Sequence, residues 1–213
     1  MFTTEVNVMI RYFYDCEFLE TGSSIDLISI GIVSSDGREY YAVNEEINEG
    51  EVHGRIRRHG WLMEHVVPHL PLVRGTYRPV AAPSANIGVP VGRFGLELGH
   101  PDVKRRQWIA AEVRDFLLDP GEPMELWAYY GAYDHVVVSW LWGPMVDRPK
   151  GIPMFSHDLM QFASSLGLDD STFPRQEGQL HNALEDARWT KRAWEYLDGY
   201  ARCCDSAKEA TDE

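Results

Sequence analysis

Apolar and aromatic side chains dominate residues 9–18, where Ile10, Tyr12, Phe13, Tyr14 and Phe18 surround two acids, and this run predicts a strand. Residues 27–33 and 39–43 read as two more. Between them Ser34, Ser35, Asp36 and Gly37 mark a tight hairpin, because Asp-Gly readily takes the positive φ angles that such a turn needs. A fourth strand covers residues 125–130 and ends at Gly131. Apolar spacing predicts helices over about residues 54–67 and 103–118, another through Val136, Val137 and Trp140, and one headed by His157 and Asp158. The clearest amphipathic segment spans about residues 180–200, with Ala183, Leu184, Ala187, Trp194 and Leu197 as its core-facing stripe. This order of elements predicts an α/β domain, a mixed central sheet flanked by helices, over residues 9–202. Residues 1–8 read as a polar extension and residues 203–213 as an acidic tail that frays.

Acids fall on this framework at three places. Side chains on a strand alternate, so Asp15 and Glu17 point the same way and present two carboxylates without a basic neighbour. Such a pair repels unless a cation lies between them, and a divalent metal supplies it. Asp134 follows a strand end, where ligands collect in α/β sheets. His181 and Asp186 share the amphipathic segment, more than one helical turn apart, so Asp186 can bind metal while His181 stands further out as a base beside the substrate. Asp158, at the head of its helix, reads either as a first-turn acid meeting the helix dipole or as a support for the site.

The ordered set D-x-E, Tyr-Asp after a strand, and H-x4-D resembles the DEDDh 3′–5′ exonucleases, which have a ribonuclease H-like fold. The flanks are similar to one branch, the actinobacterial polyadenylate-specific exoribonucleases: Phe13 to Phe18, Asp36 to Val43, Gly131 to His135, Leu141 to Met145, and His181 to Arg188. The resemblance covers about residues 9–200. It implies a phosphodiesterase that works inward from the 3′ end of single-stranded RNA or a 3′ overhang, favouring adenylate, with two Mg²⁺ ions and Mn²⁺ as a substitute. Carried over by motif, Asp15, Glu17 and Asp186 hold the first ion, Asp15 and Asp134 the second, and His181 accepts a proton from the attacking water. Phe18 and Leu19 match positions that stack on and wedge the terminal bases, and Glu17 also meets the terminal ribose hydroxyl. Dimerisation is implied too, with relatives that feed RNA between subunits. One departure stands out: where many members of the superfamily have Asn or His and then Phe before the middle Asp, this chain has Tyr130, Gly131, Ala132 and Tyr133.

Composition modifies this picture in one respect. The 213 residues are 44% hydrophobic with ten Tyr and seven Trp, as befits one globular domain, yet the net charge is −13. Nucleic-acid binders are usually basic. The positive charge is clustered instead, in Arg55, Arg57 and Arg58, in Lys104, Arg105 and Arg106, and in Arg188, Lys191 and Arg192, so a local strip would have to track the RNA backbone. The ordinary role of each cluster is a solvated helix face. Cys16, Cys203 and Cys204 form neither a disulfide framework nor a zinc motif. With no signal-like start and no apolar run of membrane-spanning length, the chain reads as cytoplasmic, without a membrane.

Residues 71–101 change character, being rich in Gly and Pro, and read as an arm that packs on a second subunit or borders the RNA path, or else as a plain surface loop. Trp61, Trp108, Trp140 and Trp142 suit a core or an interface, with the core expected for most of the aromatic residues. The same carboxylates would serve a DNA 3′ exonuclease or a short-oligonucleotide hydrolase, and a non-catalytic nucleic-acid-binding module is a third reading. A complete set of carboxylates with His181 argues against the last. An HD-type phosphohydrolase around His157 and Asp158 would need further histidines at ligand spacing, whereas His53, His59, His65 and His69 fall along one polar helix.

Overall fold

A computed structural model describes residues 9–80 and 91–209. Six strands form one mixed sheet in the order β4-β3-β2-β1-β5-β6. β1 (Ile10–Glu20), β2 (Ile25–Ser34) and β3 (Glu39–Asn44) are an antiparallel meander, and the Asp-Gly hairpin lies where the sequence predicts it. β4 (Val103–Lys104), β5 (Met124–Ala128) and β6 (His157–Asp158) join in parallel pairings with β3, β1 and β5. This is an α/β architecture of the ribonuclease H-like kind.

Alternation along β1 sorts the two faces. Tyr12, Tyr14 and Cys16 are buried under α3 (Arg106–Leu118) and α4 (Ala132–Trp140), in a core with Ile30, Val113 and Val137. Phe13 faces the other way and packs with Trp127, Leu159 of α5 (Leu159–Ser165) and Leu197 of α6 (Ala183–Glu209). A third cluster, with Leu19, Ile28, Val43, Ile56 and Met63, binds α1 (Gly50–Ile56) and α2 (Gly60–His65) to the sheet.

Several predicted elements differ in detail. The helix expected over residues 54–67 is two short helices, because His59 takes an extended conformation and caps α2, its Nδ1 accepting the Leu62 N–H at 3.2 Å. A 3₁₀ turn, Val67–His69, follows. The row of four histidines is therefore broken across separate elements. The helix expected from residue 103 begins at Arg106, since Val103 and Lys104 pair with Val43 and Asn44. α6 continues to Glu209, through much of the segment read as a fraying tail.

Three of the four tryptophans singled out in the sequence, Trp61, Trp108 and Trp140, are exposed large side chains; Trp142 is partly buried, its Nε1–H donating to the Ala110 carbonyl at 3.0 Å. The flanks of the Gly/Pro-rich segment fold back on each other through the bridges Leu72 to Leu96 and Arg78 to Arg93, and Phe94 and Leu96 join the α1–α2 core. Its centre, residues 81–90, and the extension, residues 1–8, lie outside the described residues. Among the described residues no helix is long and apolar enough to cross a membrane.

Candidate active site

β1 carries the first two carboxylates. Asp15 stands opposite Gly31, and Glu17 opposite Ser29, in the antiparallel ladder with β2. Cross-strand neighbours share a face, so both carboxylates project over the side of the sheet that α6 crosses. Asp134 arrives in the first turn of α4, after Gly131, and its Oδ1 accepts the Cys16 N–H at 2.8 Å. Asp186 arrives in the first turn of α6.

The start of α6 explains the position of His181. Asn182 caps the helix, its Oδ1 accepting the N–H groups of Leu184 and Glu185 at 3.2 Å each. His181 is thus outside the helix, not a turn below Asp186 on it as the periodicity suggests, and its backbone is left-handed at φ 62°. Tyr130, at φ 50°, is the other non-glycine residue with positive φ among the described residues. Both line the same cavity, of about 620 Å³. Strained backbone at a shared cavity is a mark of a functional site, where surrounding structure holds a conformation that the chain alone disfavours.

Asp15, Glu17, Asp134, Asp186 and His181 all line this cavity, with Phe18, Trp61, Tyr129, Tyr130 and Trp189 as aromatic walls. Ligand atoms of Glu17, His181 and Asp186 lie within 4.8 Å of one another. His181 is therefore closer to the carboxylates than the expected place further out. No Lys or Arg pairs with any of the four acids among the described residues. Leu19 is separated from Phe18: adjacent strand residues face opposite ways, and Leu19 is buried to 3% exposure under the α1–α2 layer. Phe18 lies instead against Tyr133, ring centroids 6.1 Å apart and nearly parallel.

Electrostatics follow from four acids in one half-buried place. Burial, then the charges of Asp134, Glu17 and Asp186, hold the Asp15 carboxyl well above the usual range. Glu17 is pushed up to about 8 by burial and by Asp186 and Asp134. Burial raises Asp134 and Asp186 to about 6 each, against the opposing hydrogen bonds from the Cys16 N–H to Asp134 and from Gln176 to Asp186. His181 is lowered, by burial first and then by His65 and His69. Crowded carboxylates that resist ionisation, without a basic partner, suit a divalent cation: its charge would replace the missing counter-charge. The oxygen-rich donor set is that of a hard ion such as Mg²⁺ or Mn²⁺.

Supports for the site include Gln176, which the sequence does not mark, and Trp61 and His65, which it marks for other roles. The Gln176 side chain donates to Asp186 Oδ1. Trp61 meets His181 edge to face, ring centroids 4.7 Å apart, and His65 stands 5.7 Å from the same imidazole. Nothing in the local sequence marks Gln176, and Trp61, expected in a core or an interface, comes to the site through tertiary packing. Asp158 reaches both roles left open for it, accepting the Met160 N–H at 2.7 Å as helix cap and the Gly131 N–H at 2.8 Å from the loop that delivers Asp134. His157, by contrast, stacks on Trp127.

No protein-family model matches the chain. Two curated relatives do, the 3′–5′ exoribonucleases of Mycobacterium tuberculosis strains CDC 1551 / Oshkosh and ATCC 25618 / H37Rv, each 37% identical over 179 residues, or 84% of this chain and 87% of the relative. Identity at this level across most of both chains, on a ribonuclease H-like sheet, places the chain in the 3′–5′ exoribonuclease family.

Proposed function

We propose that the protein is a metal-dependent exoribonuclease that removes nucleotides one at a time from the 3′ end of single-stranded RNA or a 3′ overhang, with a preference for adenylate-rich RNA. The observation that carries this reading is the convergence of Asp15, Glu17, Asp134 and Asp186 on one cavity with His181 beside them. In it Asp15, Glu17 and Asp186 would hold one divalent cation and Asp15 with Asp134 a second, Mg²⁺ or Mn²⁺. When bound, such a pair neutralises the carboxylates and stabilises the attacking and leaving oxygens of the phosphodiester.

The chain's own residues would then do the following. Phe18, backed by Tyr133, stacks on a terminal base, and Trp61 and Tyr130 also line the cavity. Glu17 meets the terminal ribose hydroxyl. His181 accepts a proton from the water that attacks phosphorus. The bond from phosphorus to the 3′ oxygen of the preceding nucleotide breaks, a nucleoside 5′-monophosphate leaves, and the new 3′ oxygen takes a proton from solvent. The lowered affinity of His181 for protons keeps it neutral, hence able to act as base, near neutral pH. Leu19, being buried, packs beneath this arrangement instead of wedging bases. A homodimer in the cytoplasm completes the proposal, with exposed Trp108 and Trp140 as candidate contacts.

The test is cleavage of 3′- and 5′-labelled poly(A), other homopolymers and matching DNA, with Mg²⁺, Mn²⁺ or chelator, by wild type and Asp15→Asn. Metal-dependent shortening of RNA from its 3′ end, absent in Asp15→Asn, is the expected result. Preference for DNA would move the assignment to a DNA 3′ exonuclease, and binding without cleavage to a nucleic-acid-binding module.

A further inference from the structure

The three clusters of basic residues are not equivalent in the folded protein. In the second, Lys104 pairs with Glu112 at 2.5 Å, Arg105 approaches Glu45 at 3.7 Å, and Arg106 donates to the Trp140 carbonyl at 2.5 Å. In the third, Arg188 is held by Glu39 and Glu185, Lys191 donates to the Ser34 carbonyl at 3.2 Å, and Arg192 is solvent-exposed on α6. The first cluster differs. Arg57 is structural, its Nε donating to the Gly92 carbonyl at 2.8 Å. Arg55 makes an exposed pair with Glu51, of a kind worth little. Arg58 has no carboxylate at ion-pair distance among the described residues, and its guanidinium lies beside Gly54, where an added Cβ would come within 3.5 Å of Nη1.

Arg55 and Arg58 line a second cavity, of about 450 Å³, with Leu19, Thr21, Ser23 and His59. The same two pieces of chain build both cavities. The end of β1 sends Phe18 into the first and Leu19 into the second; the corner between α1 and α2 sends Trp61 into the first and Arg58 with His59 into the second. The two are therefore consecutive along one edge. His59 Nδ1 already accepts the Leu62 N–H, which leaves Nε2–H as the donor of the neutral ring. Of the neighbouring acids, Glu51 faces Arg55 and Glu20 accepts the Gly22 N–H, and neither is at ion-pair distance from Arg58. A chain with net charge −13 attracts a polyanion only where positive charge is locally unspent.

We infer that this second cavity binds the RNA backbone upstream of the scissile phosphate, with Arg58 as its main phosphate contact. The inference rests on the proposed exoribonuclease reading. It predicts that substrate length matters: a dinucleotide fills only the catalytic cavity, whereas a longer strand also reaches Arg58.

The experiment is steady-state hydrolysis of a diadenylate and an octaadenylate by wild type, Arg58→Gln and Arg58→Lys, with KM of the octamer followed against salt. Arg58→Gln is expected to raise the octamer KM about tenfold, the loss of one charged contact. It should keep kcat near wild type, shift the dinucleotide KM by less than about twofold, and flatten the salt slope by about 0.7, the value for one phosphate of a single strand. Arg58→Lys should recover most of the octamer KM. An equal rise in KM for both substrates, or an unchanged octamer KM, overturns the inference. If wild type cleaves neither substrate the proposed function fails, and octamer binding by fluorescence anisotropy still decides the second cavity: equal affinities for wild type and Arg58→Gln overturn it.

Discussion

Gly31 of β2 lies directly beneath Ala183 at the start of α6: a Cβ built on Gly31 would fall 2.3 Å from the Ala183 carbonyl oxygen. Gly31 also stands opposite Asp15 in the β1–β2 ladder. The missing side chain lets the first turn of α6 descend onto the sheet beside Asp15, and that turn carries Asp186.

Gly31→Ala is therefore expected to lift the helix start and separate Asp186 from the β1 carboxylates. Backbone in the way leaves no flexible group to yield, so the cost should be about 1–3 kcal/mol of stability. A protein of this size would lose several degrees in Tm. Loss of RNA hydrolysis should exceed what the melting temperature explains, because metal sites tolerate little misplacement. Wild-type activity in a folded Gly31→Ala variant would refute this placement of Asp186.

His181→Ala should lower kcat by about 10²–10⁴-fold, the usual contribution of a positioned base. Mn²⁺ titration by calorimetry should show affinity within a few-fold of wild type if the carboxylates are the ligands. A large loss of affinity would instead make His181 a ligand, which its closeness to Glu17 and Asp186 permits.

The pH dependence of stability should be inverted at this site. Glu17 at about 8 and Asp134 and Asp186 at about 6 lie above their ordinary values of 4.5 and 3.8, so the folded chain keeps protons that the unfolded chain has released. Their contribution is complete below about pH 4 and is lost as pH rises through 6 and then 8. Metal-free protein should melt higher at pH 5.5 than at pH 8, and saturating Mg²⁺ or Mn²⁺ should raise Tm more at pH 8 than at 5.5. Equal metal shifts at both pH values would contradict the shared carboxylate site.

Asp158→Ala removes the cap of α5 and the acceptor of the Gly131 N–H together. The cap alone accounts for about 0.5–2 kcal/mol. Activity should fall as well, since the freed Gly131 loop begins the helix that bears Asp134. Asp158→Asn retains an acceptor oxygen and should restore much of both, read by thermal melting and by RNA hydrolysis.

Much of this site was legible along the chain because strands and turns are local. Alternation placed Asp15 and Glu17 on one face of β1, and Asp-Gly announced the hairpin that sets β2 against it. The order of the acids and their flanks marked Asp134, His181 and Asp186. By itself the sequence thus determined the strand face shared by Asp15 and Glu17, which depends only on neighbours, while the grouping of Asp134, His181 and Asp186 with them followed from resemblance in motif order and flanks.

Tertiary structure decided how they meet. Phe18 and Leu19 looked equivalent until the α1–α2 layer buried one and left the other at the cavity. Asn182 could have continued a helix; capping it instead put His181 in a left-handed turn against Trp61. Arg58 differs from the other clustered cations in lining the second cavity with no carboxylate at ion-pair distance among the described residues. Each outcome depends on contacts between segments far apart in sequence, where steric room and charge pairing are properties of the packed chain and leave no periodic trace.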